Sequence, residues 1–126
     1  MKKIIYTTSA PKVIGPYSQA IETGGFIFTA GQIPMDLGGK LIDGTIEQQT
    51  HQVMKNLKVI LNEGGVDFEN VVKTTLYIID FDNFDQINNV YKSYFMGSYP
   101  VRETVGVKAL PKNAHLEISM MAVKKL

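Results

Sequence analysis

Apolar residues alternate with polar ones near the C-terminal end, in two runs of opposite parity. Val101, Val105 and Val107 fall on odd positions, and Leu116, Ile118, Met120 and Ala122 on even ones. Alternation with period two predicts two strands joined by a turn. If the pair forms a hairpin with its apolar sets together, the remaining residues also come together. Arg102, Thr104, Gly106, Glu117, Ser119 and Met121 are then expected on one shared face. Met121 and Val123 make that face too apolar for ordinary solvated surface, so something is expected to cover it.

Upstream, Ile4–Thr7 reads as a short strand. Tyr17–Thr23 and Phe26–Ala30 flank Gly24-Gly25, the composition of a tight hairpin turn. A loop follows from Gln32 to Gly44. Thr45-Ile46-Glu47-Gln48 has the form of a capping box, and behind it Ile46, Val53, Leu57, Ile60 and Leu61 recur at helical spacing up to Gly64-Gly65. Val71–Ile79 is β-branched and aromatic on both faces, which predicts a central strand covered on both sides. Asp82 or Asn83 is expected to cap a second helix whose stripe is Phe84, Ile87, Tyr91, Tyr94 and Phe95, with Gly97 as its stop.

The expected order is β-β-β-α-β-α-β-β: an α+β fold with about six strands in a mixed sheet and two helices on one face. The second sheet face, expected to hold Arg102 and Glu117, has nothing left in the chain to cover it. Further copies of the same sheet are the simplest cover, which predicts an oligomer.

The 126 residues suit a single domain spanning 1–126. A net charge of +1, with lysines scattered apart from the chain ends, offers no electrostatic footprint for nucleic acid or an anionic membrane. With no cysteine there is no disulfide, thiolate nucleophile or cysteine-based zinc site. No run reaches transmembrane length, and the apolar block within Met1–Tyr6 is too short for a signal-peptide core. A cytoplasmic location is expected.

Little else in the sequence offers chemistry. His51 and His115 are far apart and match no metal-ligand spacing. The zinc deaminase signature, a His-x-Glu with a paired-cysteine motif, is missing. Asp80, Asp82 and Asp85 lack the glycine and terminal glutamate of a calcium loop and suit helix capping better. Arg102 and Glu117 remain, with two readings. By pattern alone they form an ion pair at a subunit contact, since such networks are common at interfaces. Alternatively, a guanidinium forks onto a small carboxylate while a glutamate orients water and takes its proton.

Several motifs in order bear on this choice: GPYSQA (15–20), TAGQIP (29–34), VVKTTLYIIDFDNFDQINNVY (71–91), and PVRETV with LPKNAHLEI (100–118). Across essentially its whole length the chain resembles the RidA/YjgF family of enamine/imine deaminases. That resemblance implies a chorismate-mutase-like fold, a homotrimer with sheets inside and helices outside, and active sites in the clefts between subunits. It implies hydrolysis of 2-imino acids such as 2-iminobutanoate and 2-iminopropanoate to 2-keto acids and ammonia, with no metal or organic cofactor. Position by position, Arg102 matches the carboxylate-binding arginine and Glu117 the acid that positions water. Tyr17 matches the aromatic residue lining the cleft, Gly31 and Gln32 the backbone turn beside the ligand, and Asn88 a polar residue on the second helix. Without the resemblance, Tyr17 reads as a packed strand residue and Asn88 as a helix-face amide.

Two positions depart from the family's usual pattern. Ala30 stands where many members carry serine, and Glu103-Thr104 replaces a small polar pair that often ends in cysteine. Thr104, on Arg102's face by alternation, can still offer a hydroxyl to the ligand. Alternative functions are a non-catalytic trimeric regulator that binds small carboxylates and, less in keeping with the charge, a ribonuclease or translation inhibitor.

Overall fold

Gly24 and Gly25 adopt φ of +57° and +82°, the left-handed pair that a two-residue hairpin turn demands. They join β2 (Ala20–Thr23) to β3 (Phe26–Thr29), and β1 (Lys3–Ile5) pairs antiparallel with β2. The computed structural model describes residues 1–126. Helix α1 (Ile46–Glu63) starts at the expected capping box: the Thr45 hydroxyl accepts from the Gln48 N–H at 3.1 Å, and the Gln48 side chain accepts from the Thr45 N–H at 2.8 Å. After α1 come β4 (Val71–Ile78), α2 (Phe84–Lys92), β5 (Val101–Gly106) and β6 (Leu116–Val123).

The six strands form one mixed sheet in the order β1-β2-β3-β6-β4-β5. Only β4 and β5 are parallel, joined by α2 as a crossover. Both helices lie on one face. There Val53, Met54, Leu57, Ile60 and Leu61 of α1 and Ile87 of α2 pack on Ile27, Leu76, Ile78, Leu116 and Ile118 of the sheet, each at most 1% exposed. Each such buried side chain stabilises the fold by about 1.5–3 kcal/mol. No buried side-chain nitrogen or oxygen lacks a partner.

Three expectations need correction. β5 and β6 are not a hairpin, because β4 lies between them and pairs with both. β4 is covered on one side only within the chain: Thr74, Leu76 and Ile78 are buried, whereas Lys73, Thr75 and Tyr77 are half-buried on the other face. Neither Asp82 nor Asn83 caps α2 through its side chain. Asp80 instead accepts from the Asp82 N–H at 2.9 Å and caps a single 3₁₀ turn (Phe81–Asn83) that runs into the helix.

The face away from the helices carries Ile4, Ile21, Phe26, Phe28, Tyr77, Val101, Val105, Glu117 and Met121, as the strand registers require. Val101 is 67% exposed, Ile4 61% and Phe26 42%. This broad apolar surface has no cover within the chain.

Candidate active site

Glu117 enters the open face from the second position of β6, opposite Tyr77. Its neighbour across the sheet is not a regular strand. The Thr29 hydroxyl accepts from the Met120 N–H at 2.9 Å, a side chain taking the place of a backbone acceptor as β3 ends. Beyond it, Gln32 and Ile118 exchange backbone bonds of 2.9 and 3.1 Å, so residues 30–32 are pinned across β6 beside Glu117. At Gly31 the missing side chain leaves room for the Glu117 carboxylate. A β-carbon would lie 2.7 Å from Glu117 Cδ and 2.9 Å from Cγ, and would overlap a carboxylate oxygen. The Gly31 N–H enters no hydrogen bond within the chain.

The wall opposite is the loop before β2, held by Gln19. This side chain is 1% exposed; its oxygen accepts from the Thr7 N–H (2.8 Å), and its amide donates to the carbonyls of Thr7 (3.0 Å) and Pro11 (3.1 Å). Tyr17 lies on this loop rather than in a strand, half exposed, its hydroxyl accepting from the Ile14 N–H at 3.3 Å. Together these segments enclose a cavity of about 510 Å³ lined by Ile14, Tyr17, Ala30, Gly31, Gln32 and Glu117, among others. Lys112 also lines it, from a turn in which Lys112 and Asn113 both adopt left-handed φ, +57° and +59°. Two successive non-glycine residues in that region are sterically unfavourable. Burial pushes the Glu117 carboxyl above its ordinary pKa.

Arg102 is elsewhere. It pairs with Thr74 of β4, which in turn pairs with Met120, both buried under the helices. Its side chain therefore rises from the helix-covered face at the sheet's edge. Its Nη1 donates to Asn88 Oδ1 of α2 at 2.7 Å, and its Cζ lies 5.1 Å from the Tyr91 ring centroid and 5.5 Å from that of Phe84. With Asn88, Tyr91, Lys92, Tyr99 and Pro100 it lines a second cavity of about 450 Å³. The two cavities share no residue.

The expectation that Arg102 and Glu117 share a face is thus overturned. Within each strand the alternation holds: Arg102 shares its side with Thr104, and Glu117 with Ser119 and Met121. The error lies in matching the two strands, since the apolar valines of β5 belong to the open face. β5 is an edge strand beside the end of the helix layer, so its covered side tolerates an arginine. Thr104 lines neither cavity, and Glu103, on the open face, pairs with Lys73 at 3.0 Å.

The structure therefore brings Tyr17, Gly31, Gln32 and Glu117 together, and separately joins Arg102 to Asn88. Sequence reasoning missed Gln19, Lys112 and the Thr74–Tyr91 pair. The burial of Gln19 becomes apparent only in the fold, since the residues before it, Gly15-Pro16-Tyr17-Ser18, give no apolar run to mark it. His51 and His115 are apart, bonded to the Tyr94 hydroxyl (2.6 Å) and Gln49 Oε1 (3.1 Å) respectively. No helix is long and apolar enough to cross a membrane.

Residues 7–124 match the family described as Endoribonuclease L-PSP. The 2-iminobutanoate/2-iminopropanoate deaminase of Mus musculus is 43% identical over 125 residues, 98% of this chain and 93% of that protein. The solved structure of a Rid-family protein of unknown function from Yersinia pestis superposes with a TM-score of 0.95 at 44% identity, covering 98% of this chain and 99% of that one. Escherichia coli TdcF, solved with bound serine, gives a TM-score of 0.91 at 39% identity over 96% and 98% of the two chains.

Proposed function

The chain belongs to the Endoribonuclease L-PSP family, the RidA/YjgF family its motifs resemble, and on that premise we propose that it is a 2-imino acid deaminase. It hydrolyses 2-iminobutanoate and 2-iminopropanoate to the 2-keto acids and ammonia. The observation that carries this reading is the state of Glu117. Its carboxylate sits beside Gly31 in a cavity, partly desolvated, and none of the chain's three ion pairs includes it. Such a group takes a proton from water more readily than an ordinary surface glutamate.

Arg102 supplies the complementary function. Its guanidinium has no carboxylate partner within the chain and forks onto the substrate carboxylate. Because the two groups leave opposite faces of the sheet, a complete site takes Glu117 from one copy and Arg102 from a neighbour. A cyclic trimer packed on its open sheet faces makes three such clefts and covers the apolar surface. Tyr17, Gly31 and Gln32 then belong with Glu117, and Asn88 and Thr104 with Arg102.

In the cleft, the carboxylate clamp fixes C2 of the protonated imine beside the water held by Glu117. Water adds to C2 as Glu117 accepts its proton, and the C2–N bond then breaks. Glu117 returns that proton to the nitrogen, which leaves as ammonia, while the C2 hydroxyl gives its own proton to the freed Glu117 carboxylate and C2 becomes the keto carbon. The iminium is already electrophilic, so positioning and one base suffice. The mouse relative's name and the serine bound to TdcF support a small amino-acid-derived carboxylate as ligand. The net charge of +1 supports a small anion over RNA. The proposed setting is the cytoplasm, beside pyridoxal-phosphate-dependent dehydratases that release such imines.

The test couples a threonine dehydratase to the protein and follows the imine by semicarbazide trapping. Faster loss of imine than in the protein-free control is expected. Equal rates contradict the reading.

A further inference from the structure

Arg102 is held by three groups, none of which carries a charge. Asn88 offers an amide oxygen at 2.7 Å, and the rings of Tyr91 and Phe84 offer their faces at 5.1 and 5.5 Å. All three come from successive turns of α2, at positions 84, 88 and 91, so one helix face supplies the whole seat. Tyr91 is itself fixed. It is 3% exposed, and its hydroxyl shares a 2.7 Å hydrogen bond with the Thr74 hydroxyl, which is fully buried on β4 directly opposite Arg102. Burial raises the Tyr91 phenol above its ordinary pKa despite the Thr74 bond and the Arg102 charge, which both pull it down, so the ring stays neutral. Asp67, Glu103 and Glu22 each take a lysine, and none pairs with Arg102.

We propose that Phe84 and Tyr91 are positioning residues that form, with Asn88, a charge-neutral clamp keeping Arg102 oriented and its positive charge unspent for the substrate carboxylate. The inference rests on the deaminase reading for the identity of the ligand, and on geometry alone for the clamp. A carboxylate in place of the Asn88 amide would orient the guanidinium equally well but would occupy its fork and cancel its charge. An aromatic face attracts the cation through its quadrupole without competing for the N–H donors at the guanidinium edge. An arginine already confined also loses less rotamer freedom when the ligand arrives.

The tests are binding of 2-ketobutyrate by calorimetry and imine hydrolysis by the full-length protein, with three substitutions. Phe84→Leu removes one ring at the half-buried margin and keeps bulk. It is expected to raise the Kd and KM about twofold to tenfold and leave kcat within about twofold. Phe84→Tyr, which restores a ring, should return both to the parent values. Asn88→Asp keeps the anchor but adds charge, and should weaken 2-ketobutyrate binding by at least about tenfold. Parent-like affinity in both Phe84→Leu and Asn88→Asp overturns the proposal. A parent protein that binds no 2-keto acid defeats the deaminase reading instead. The clamp is then decided by NMR, which should find Arg102 side-chain signals moved upfield by ring currents in the parent and partly released in Phe84→Leu, where the Tyr91 ring remains. Random-coil Arg102 signals in the parent overturn it.

Discussion

Arg102 and Glu117 flank the same strand, β4, yet project from opposite sides of it. Arg102 pairs with Thr74 on the helix-covered face, and Glu117 pairs with Tyr77 on the open one. A 2-imino acid places its carboxylate and C2 on adjacent carbons, so the groups that bind the one and deliver water to the other must meet within a few ångströms. A sheet and its side chains separate these two residues in a single copy. On the proposed reading the chain alone holds two half-sites, and catalysis by both residues would require a second copy.

The arginine half is tested by its removal. Arg102→Ala should weaken 2-ketobutyrate binding by roughly 1.5–3 kcal/mol, the worth of a charge-assisted fork. Thermal stability should fall modestly at neutral pH, through the lost Asn88 bond, the two ring contacts and a neighbouring Glu117 left without a countercharge. Arg102→Lys should restore little, since an ammonium cannot fork. Parent-like affinity in Arg102→Ala would make the arginine structural.

For the glutamate half, the sharpest variant is at its neighbour. Gly31→Ala strains no dihedral, since Gly31 is not among the positive-φ glycines, but its β-carbon claims space held by the Glu117 carboxylate. Displacing a positioned base by about 1 Å can cost 10²-fold. Imine turnover should fall at least about tenfold while 2-ketobutyrate affinity, carried mainly by Arg102, holds within a few-fold. Turnover equal to the parent would mean that the position of Glu117 does not matter.

Titration tests whether the halves meet. Burial raises the Glu117 pKa, whereas a guanidinium from a neighbouring copy favours the carboxylate and lowers it. The Glu117 carboxyl, followed by carbon NMR, should therefore titrate at higher pH in Arg102→Ala than in the parent. The sign for stability follows from the raised folded-state value. In the Arg102→Ala background, the contribution of Glu117 is fully present below its unfolded pKa and is lost as pH rises through the folded one. Adding Glu117→Gln to that background should raise Tm at neutral pH and leave it unchanged in acid. Identical Glu117 midpoints in the two proteins would mean that no guanidinium approaches it.

What the sequence made legible was mostly local. The Thr45–Gln48 capping box and the Gly24-Gly25 turn depend on residues a few positions apart and appear as expected. Of the second helix's stripe, Phe84, Ile87 and Tyr91 lie on α2, but the helix ends at Lys92 rather than at Gly97, leaving Tyr94 and Phe95 beyond it. The alternation also placed Arg102 with Thr104 and Glu117 with Met121 within their strands. It could not show that β4, drawn from thirty residues earlier in the chain, inserts between β5 and β6, because parity carries no information about which strand is the neighbour. That one unknown reversed the relation between the two central residues. Tyr91 was read as core from its spacing, and it is core. Its second role beneath Arg102 arises only from the parallel β4–β5 pairing that sets Thr74 opposite the arginine.

The most direct test of the two-copy site is complementation between inactive subunits. Arg102→Ala and Glu117→Gln should each hydrolyse imine at close to the uncatalysed rate. Unfolded together in equal amounts, refolded, and verified as mixed trimers by native mass spectrometry, they should regain activity. In a cyclic trimer with random mixing, about a quarter of the clefts receive an intact Glu117 from one subunit and an intact Arg102 from the next. Recovery to roughly that fraction of parent turnover is the predicted result. Mixed trimers as inactive as the separate variants would contradict a site shared between copies.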